Sequence, residues 1–346
     1  MKRVLTVLMA LCCLAVATQT TAQTTAQTNK PLKFHGKPDY LLEVQGEHLF
    51  RAVDEGLDAF PPVPGADLKR QLALYNLDAL LHDYRYDNSP ALRAFIEKRL
   101  TKLLADLNKP HKKGLKIYKI YNEAMIARTK SVNIAFDISR CRCRGYKGPL
   151  LPNELIKQIV EKCDVLFLSH NHGDHVDPDI VQQFIKAGKP VVATPEILAD
   201  MAGVTHLRND DVAETYTVQL KNGKKLSVTI HPGHQGKLQN NIYAVATPEK
   251  YVVCHTGDQH HRGDVKWYAD IKKASPRVDA LIVNCWTNSL GKLLAGINPR
   301  YVITGHENEM GHPIDHREAF WLTFTKFEPH DYNYVVMAWG EWFTIK

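Results

Sequence analysis

The stretch that most constrains this chain is Val165-Leu166-Phe167-Leu168-Ser169-His170-Asn171-His172-Gly173-Asp174-His175-Val176-Asp177. Its apolar half reads as a strand buried on both faces, the kind found in sheets covered by helices. Its polar half puts His170, His172, Asp174 and His175 on the loop at the strand's C-terminal tip. Imidazole and carboxylate together suit a borderline divalent cation such as zinc. Ligands at i, i+2, i+4 and i+5 are too crowded to approach one ion from different sides, so the spacing predicts two metals sharing the loop. A single histidine here would more simply cap a strand or helix; the density of the cluster argues for a metal site.

Composition frames what such a site can belong to. With 346 residues, 44% hydrophobic and 23% charged, the chain can hold one large domain or two of ordinary size. The formal net charge of +7 is modest and spread out, which favours anionic substrates by long-range attraction and gives no reason to expect nucleic acid. Met1-Lys2-Arg3 before the apolar run Val4 to Ala17 reads as a signal peptide, too short to span a membrane. Removal of residues 1–22 predicts an exported protein, periplasmic or extracellular, with no transmembrane segment in the mature chain. Cys141, Cys143, Cys163, Cys254 and Cys285 then remain, an odd number without regular spacing, which argues against a disulfide scaffold. Cys163 and Cys254 read as core residues, and Arg140-Cys141-Arg142-Cys143-Arg144 as a solvated bend or an exposed basic loop meeting an anion.

Residues 23–65 read as a polar leader and linker, ending in Phe60-Pro61-Pro62-Val63-Pro64-Gly65. Residues 66–110 form a helical extension. One helix is expected from Asp67 to Tyr84, with Leu68, Leu72 and Tyr75 inward. A second runs from Pro90 to Leu107, with Leu92, Phe95, Ile96, Leu100 and Leu103 inward and Ser89 as N-cap. From residue 111 to 346 the pattern becomes α/β. Strands are expected at 115–120, 133–138, 165–168 and 190–193, with helices on the Leu155, Ile156, Ile159, Val160 stripe, from Asp177-Pro178, and from Pro195. Thr215 to Leu220 and Lys225 to Ile230 flank Asn222-Gly223, a pair that favours a two-residue hairpin turn. Further strands are expected at 242–246, 251–255, 280–284 and 301–304.

Ligand-type residues recur after these later strands, in His231-Pro232-Gly233-His234, Thr256-Gly257-Asp258 and Gly305-His306-Glu307-Asn308-Glu309-Met310-Gly311-His312. From the residues alone, His231 competes with His234, and His306 with His312 and His316. His260 and His261 read as loop residues beside Asp258.

The ordered series His170-x-His172-x-Asp174-His175, then His234, Asp258 and His306, resembles the metallo-β-lactamase fold superfamily. Within it, the Ser169 to Asp177 stretch is most similar to the branch of ascorbate-phosphate lactonases and the phospholipase D acting on N-acyl-phosphatidylethanolamines. The resemblance implies a four-layer αββα sandwich, here with an N-terminal helical extension, and two Zn2+ per chain; iron or manganese suit the same ligands. It implies His170, His172 and His234 on one metal, Asp174, His175 and His306 on the other, and Asp258 bridging. A water shared by the metals then becomes the hydroxide nucleophile. Asp174 and Asp258 are thus catalytic through the metals, and His312 is placed to protonate the leaving group or touch substrate. The expected activity is hydrolysis of a phosphodiester or lactone in a small-molecule or lipid-derived anionic substrate. A β-lactamase is the alternative, disfavoured because the dizinc lactamases nearest in layout carry a cysteine where this chain has Asp258. A non-catalytic metal-binding or ligand-binding protein of the same fold is another.

Overall fold

The computed structural model describes residues 38–207 and 212–346. The expected signal peptide and most of the polar leader lie outside the described residues. The chain divides into two compact units, residues 1–42 and 43–346, and the sheets belong to the second.

One seven-stranded sheet contains β1 (Leu115–Tyr121), β2 (Ala124–Arg128), β3 (Asn133–Phe136), β4 (Val165–Phe167), β5 (Val191–Ala193), β6 (Val204–His206) and β16 (Glu341–Ile345), in the order β16-β1-β2-β3-β4-β5-β6. The other contains β7 (Glu214–Gln219), β8 (Lys225–His231), β11 (Ile242–Ala246), β12 (Val252–His255), β13 (Ala280–Asn284), β14 (Tyr301–Gly305) and β15 (Tyr334–Val335), in the order β15-β14-β13-β12-β11-β8-β7. The short β9 (His234–Gln235) and β10 (Leu238–Gln239) pair separately.

Alternation along the strands explains the layering. In β4 and the residue after it, Val165 and Phe167 join one buried cluster while Leu166 and Leu168 join another. The first cluster lies between the sheets, where Ile117, Phe136 and Phe167 share a core with Val228, Tyr243, Val253 and Ile282. The second lies under the helices, where Leu166 and Val191 share a core with Ile156, Ile159, Val181 and Phe184 of Asn153–Glu161 and Pro178–Lys186. Leu281 and Val283 of β13 share it with Leu293, Leu294 and Ile297 of Leu290–Ile297. This is the expected four-layer αββα sandwich.

Several local expectations are corrected. The linker stretch contains a 22-residue helix, Pro38–Ala59, whose Phe50, Val53 and Leu57 are buried; its polar residues dilute the apolar stripe. The helix Leu68–Leu81 forms, but Leu68 and Leu72 are 69% and 52% exposed while Leu74, Leu77 and Leu81 are buried. Leucines lie around most of this helix, so periodicity alone picks the wrong face, and its neighbours decide. In Pro90–Leu107 the expected face is the buried one, and Ser89 caps it by accepting from the Leu92 amide. Strand β2 fills what sequence left as a connection, and the helix expected from Pro195 is a turn. The Asn222-Gly223 hairpin closes as a three-residue loop, with Leu220 N–H donating to Lys224 O at 2.8 Å and Gly223 left-handed at φ 82°. Cys141 and Cys143 are buried, while Arg142 and Arg144 between and after them are exposed.

Buried charges tie the helical extension to the C-terminal strand. Glu341 of β16 accepts from Arg70 Nη2 at 2.5 Å and faces Arg99 Nη2 at 3.3 Å, and Arg99 Nη1 reaches Asp54 Oδ1 at 3.0 Å. Removing one partner of such a set leaves an uncompensated buried charge, at about 3–5 kcal/mol.

The layering makes a direct prediction. Phe167→Ala, emptying the space between the sheets, should lower unfolding free energy by about 3–5 kcal/mol in urea titration. Leu72→Ala should change it by less than about 0.5 kcal/mol; a large loss there would put the buried face of that helix back where the sequence first suggested it.

Candidate metal centre

Parallel pairing sets where the ligands meet. β3 and β4 run parallel in one sheet, and β12, β13 and β14 run parallel in the other. Residues just past the C-terminal ends of parallel strands emerge at one sheet edge. Asp137 follows β3, the His170 to His175 loop follows β4, Asp258 follows β12, Trp286 follows β13 and His306 follows β14.

Two ligand groups form there, and Asp258 belongs to both. Asp174, His175, Asp258 and His306 place one donor atom each within 4.8 Å of one another, and so do His170, His172 and Asp258. Asp258 Oδ2 lies 3.6 Å from His170 Nε2, 3.3 Å from His175 Nε2 and 3.3 Å from His306 Nε2. Asp174 Oδ2 lies 3.2 Å from His175 Nε2 and 3.5 Å from His306 Nε2. Gly257 allows the approach: a Cβ there would sit 2.4 Å from Ser169 Cβ, and its φ is +51°.

The loop is held from behind by Asp137. Its fully buried carboxylate accepts from the Ser169 amide at 2.7 Å, the Ser169 hydroxyl at 2.5 Å and His175 Nδ1 at 2.8 Å. That last bond fixes which ring nitrogen of His175 faces the cluster. Asn122 Nδ2 donates to Asp174 at 3.0 Å, and Asn240 Oδ1 accepts from the Asp258 amide at 3.1 Å. Sequence reading did not assign Asp137 a role, although it stands at a strand tip as the ligands do. Behind it lie His255, whose ring stacks on Phe136 at 4.8 Å, and Glu123, 3.4 Å from His255 Nε2.

The charge distribution suits cations. Burial opposes ionisation of His175 and His306, but the neighbouring carboxylates outweigh it and hold both imidazoles well above their ordinary pKa. Burial likewise opposes ionisation of Asp174 and Asp258, and the same histidines outweigh it, holding both carboxyls well below theirs. Burial, reinforced by His175, pushes His170 down to about 3, leaving a neutral imidazole. His170 Nε2, His175 Nε2 and Asp258 Oδ1 are buried without hydrogen-bond partners. Imidazole nitrogens and carboxylate oxygens converging on one point are the donor set that divalent cations take, with His170 already neutral and His175 and His306 exchanging their protons for the ion.

The structure also sorts the competing candidates. His231 Nε2 bonds the Ser275 hydroxyl at 2.9 Å in a buried position, in neither group. His234 is not in the His170 group either: it gathers with His261 and Asp264, and its Nδ1 lies 3.1 Å from Asp264 Oδ1. That contact occupies one ring nitrogen and leaves Nε2 for a cation. His306 is in the cluster, and His312 stacks beside it at 5.7 Å, half-buried. Trp286 meets the His306 ring edge-on at 5.2 Å. Asp174, Glu309 and His312 line a cleft of 870 Å³ with Arg140, Cys141 and Arg142. Burial and Asp174 push the Glu309 carboxyl up to about 8. No helix among the described residues is long and apolar enough to cross a membrane.

Comparison with known proteins gives the family and similar folds. The family profile described as "Beta-lactamase superfamily domain" matches residues 101–306. Among solved structures, a metallo hydrolase from the archaeon Ignicoccus hospitalis is similar at TM-score 0.50 and 16% identity, over 68% of this chain and 99% of its own. An isothiocyanate hydrolase from Delia radicum gut bacteria is similar at 0.48 and 15%, over 67% and 100%. A diiron β-hydroxylase from Streptomyces venezuelae is similar at 0.45 and 13%, over 75% and 62%. No curated protein matches.

Elemental analysis of protein purified without added metal should find about two divalent ions per chain. Asp258→Ala should lower that content, because both groups lose a member, whereas His231→Gln should leave it unchanged. Fewer than one ion in the unsubstituted protein would remove the two-metal assignment.

Proposed function

The chain belongs to the metallo-β-lactamase superfamily of metal-dependent hydrolases, and from that premise we propose an exported dizinc hydrolase acting on a phosphodiester or lactone. The observation that carries the two-metal part is Asp258, whose Oδ2 faces His170, His175 and His306 at 3.3–3.6 Å. A carboxylate so placed can address both of a pair of cations roughly 3.5–4 Å apart. Export rests on the charged Met1-Lys2-Arg3 and the apolar run behind it.

Asp174, His175 and His306 would hold one ion, and His170 and His172 the other, completed by His234 through Nε2. When bound, the pair lowers the pKa of a water toward about 7 and polarises the oxygen of the scissile group. The chain's own residues do the rest. Asp137 keeps the His175 ring turned toward the cluster through Nδ1. Burial, with His306 beside it, holds the His312 pKa below its ordinary value. His312 therefore meets substrate as a neutral ring, whose N–H donates a hydrogen bond to the charge developing on the leaving atom. Its Nδ1 is buried without a partner, and the residue lines the cleft that reaches Asp174.

The zinc-loaded protein should be assayed on phosphodiester, lactone and β-lactam panels. Turnover is expected on one of the first two. His172→Ala and Asp258→Ala should each reduce it by more than the 10–100-fold typical of losing an outer-shell partner. His312→Gln should lower kcat with little change in KM. Efficient turnover of a chromogenic cephalosporin would favour the lactamase alternative instead.

A further inference from the structure

Five basic residues stand out in sequence as candidates to meet an anion, Arg140, Arg142, Arg144, Lys237 and Arg262, and their surroundings separate them. Arg140 is committed, with Nε 2.6 Å from Asp177 Oδ2 and Nη2 2.5 Å from Asp179 Oδ2. Arg144, Lys237 and Arg262 do not line the cleft beside the metal centre, whereas Arg142 does, with Asp174, Glu309 and His312. Arg142 is exposed, and among the described residues its guanidinium has no hydrogen bond or ion pair.

The segment carrying Arg142 is built rather than loose. Buried Cys141 and Cys143 flank it, and Cys141 Sγ donates to Asp174 O at 3.6 Å. The Leu150 amide donates to Cys141 O at 2.9 Å, and the Arg144 amide to Met310 O at 2.8 Å. Backbone on both sides of Arg142 is therefore fixed, one side to the ligand loop and the other to the segment after His306. None of the acidic groups near it pairs with it: Asp177 and Asp179 face Arg140, Asp174 is assigned to a cation, and Glu309 is buried, with Oε1 accepting from the Gly311 amide at 2.8 Å and Oε2 without a hydrogen-bond partner.

We propose that Arg142 is an anion subsite, taking a carboxylate or phosphate that the substrate carries beyond the bond hydrolysed at the metal centre. The inference rests on the hydrolase reading for events at the metals, but not for binding at Arg142. A planar guanidinium offers paired donors that match an oxyanion's two oxygens. Its position makes the cleft discriminate between substrates that share a scissile group and differ in the charge of a distal arm.

The test uses γ-lactones bearing a four-carbon arm that ends in carboxylate, phosphate or carboxamide, together with the corresponding lactams, which keep shape and charge but resist opening. With the zinc-loaded protein, a charged arm should be preferred over carboxamide by about 10- to 100-fold, in KM for the lactones and in calorimetric Kd for the lactams. The carboxylate and phosphate arms show which oxyanion the subsite prefers. Arg142→Gln should raise the charged ligands' KM and Kd to those of the carboxamide, Arg142→Lys should restore part of the preference, and Arg144→Gln should keep all of it. An undiminished preference in Arg142→Gln, or an equal loss in Arg144→Gln that marks general attraction, would overturn the subsite. If no lactone opens, lactone hydrolysis fails as a reading, and lactam binding still decides the role of Arg142.

Discussion

The site depends on one buried carboxylate that touches neither substrate nor the proposed cations. Asp137 is fully buried, and a lone carboxylate in that position would cost several kcal/mol. It persists as an anion because Ser169 donates twice and His175 Nδ1 once, and the charged neighbours His175 and His255 add attraction. The bonds run from the tip of β3 to the loop after β4, so they bind two parallel strand ends into one edge. The same carboxylate sets the orientation of His175, and through it the position at which Asp174, Asp258 and His306 meet. Its backbone is left-handed, φ 47°, and so is that of His306, φ 67°. Non-glycine residues held in that region cost of order 1–3 kcal/mol and persist where the surroundings over-determine them. Both lie where strands give way to the site.

The ligand loop was legible because its chemistry is local. Four apolar residues and four ligands within a short stretch can be read without knowing what they pack against, and β4 is indeed buried on both faces. Strand tips carrying Asp258 and His306 were legible for the same reason. What escaped were decisions made by distant neighbours. Leu68 and Leu72 are as apolar as Leu74 and Leu77, and only the layers around that helix determine which pair is covered. The Pro38–Ala59 helix has a buried stripe so interrupted by polar residues that composition reads as linker. His231 ends β8 and His234, three residues on, begins β9, and their surroundings, Ser275 for one and Asp264 for the other, distinguish them.

The basic run around Cys141 shows how alternation can divide one segment between two tasks. Its two cysteines go inward, where burial pushes Cys143 up to about 11 and keeps it a neutral thiol, and its arginines go outward. Cys141 attaches the segment to the ligand loop, and the Arg144 amide attaches it to Met310. The outward ones are then presented from a fixed backbone, and Arg140 is drawn off by Asp177, which also caps the helix Pro178–Lys186. Read as sequence, the run is a solvated bend or an exposed basic loop meeting an anion; as structure, Arg142 of its solvated half lines the metal centre's cleft.

Protons and divalent cations compete for the same atoms in this centre. Without cations, the two carboxylates Asp174 and Asp258 are balanced by protons on His175 and His306, which is why both imidazoles are held well above their ordinary pKa. The fold therefore tolerates four converging ligands before any metal arrives, because charge is already compensated within the cluster. Metal binding must displace those protons, so affinity grows as pH rises and protons are released on loading. His170, already neutral through burial, has no such proton to lose. The two ligand groups, although joined through Asp258, thus differ in kind: the one containing His170 and His172 is open to a cation across the neutral range, while the one containing His175 and His306 must exchange protons for it.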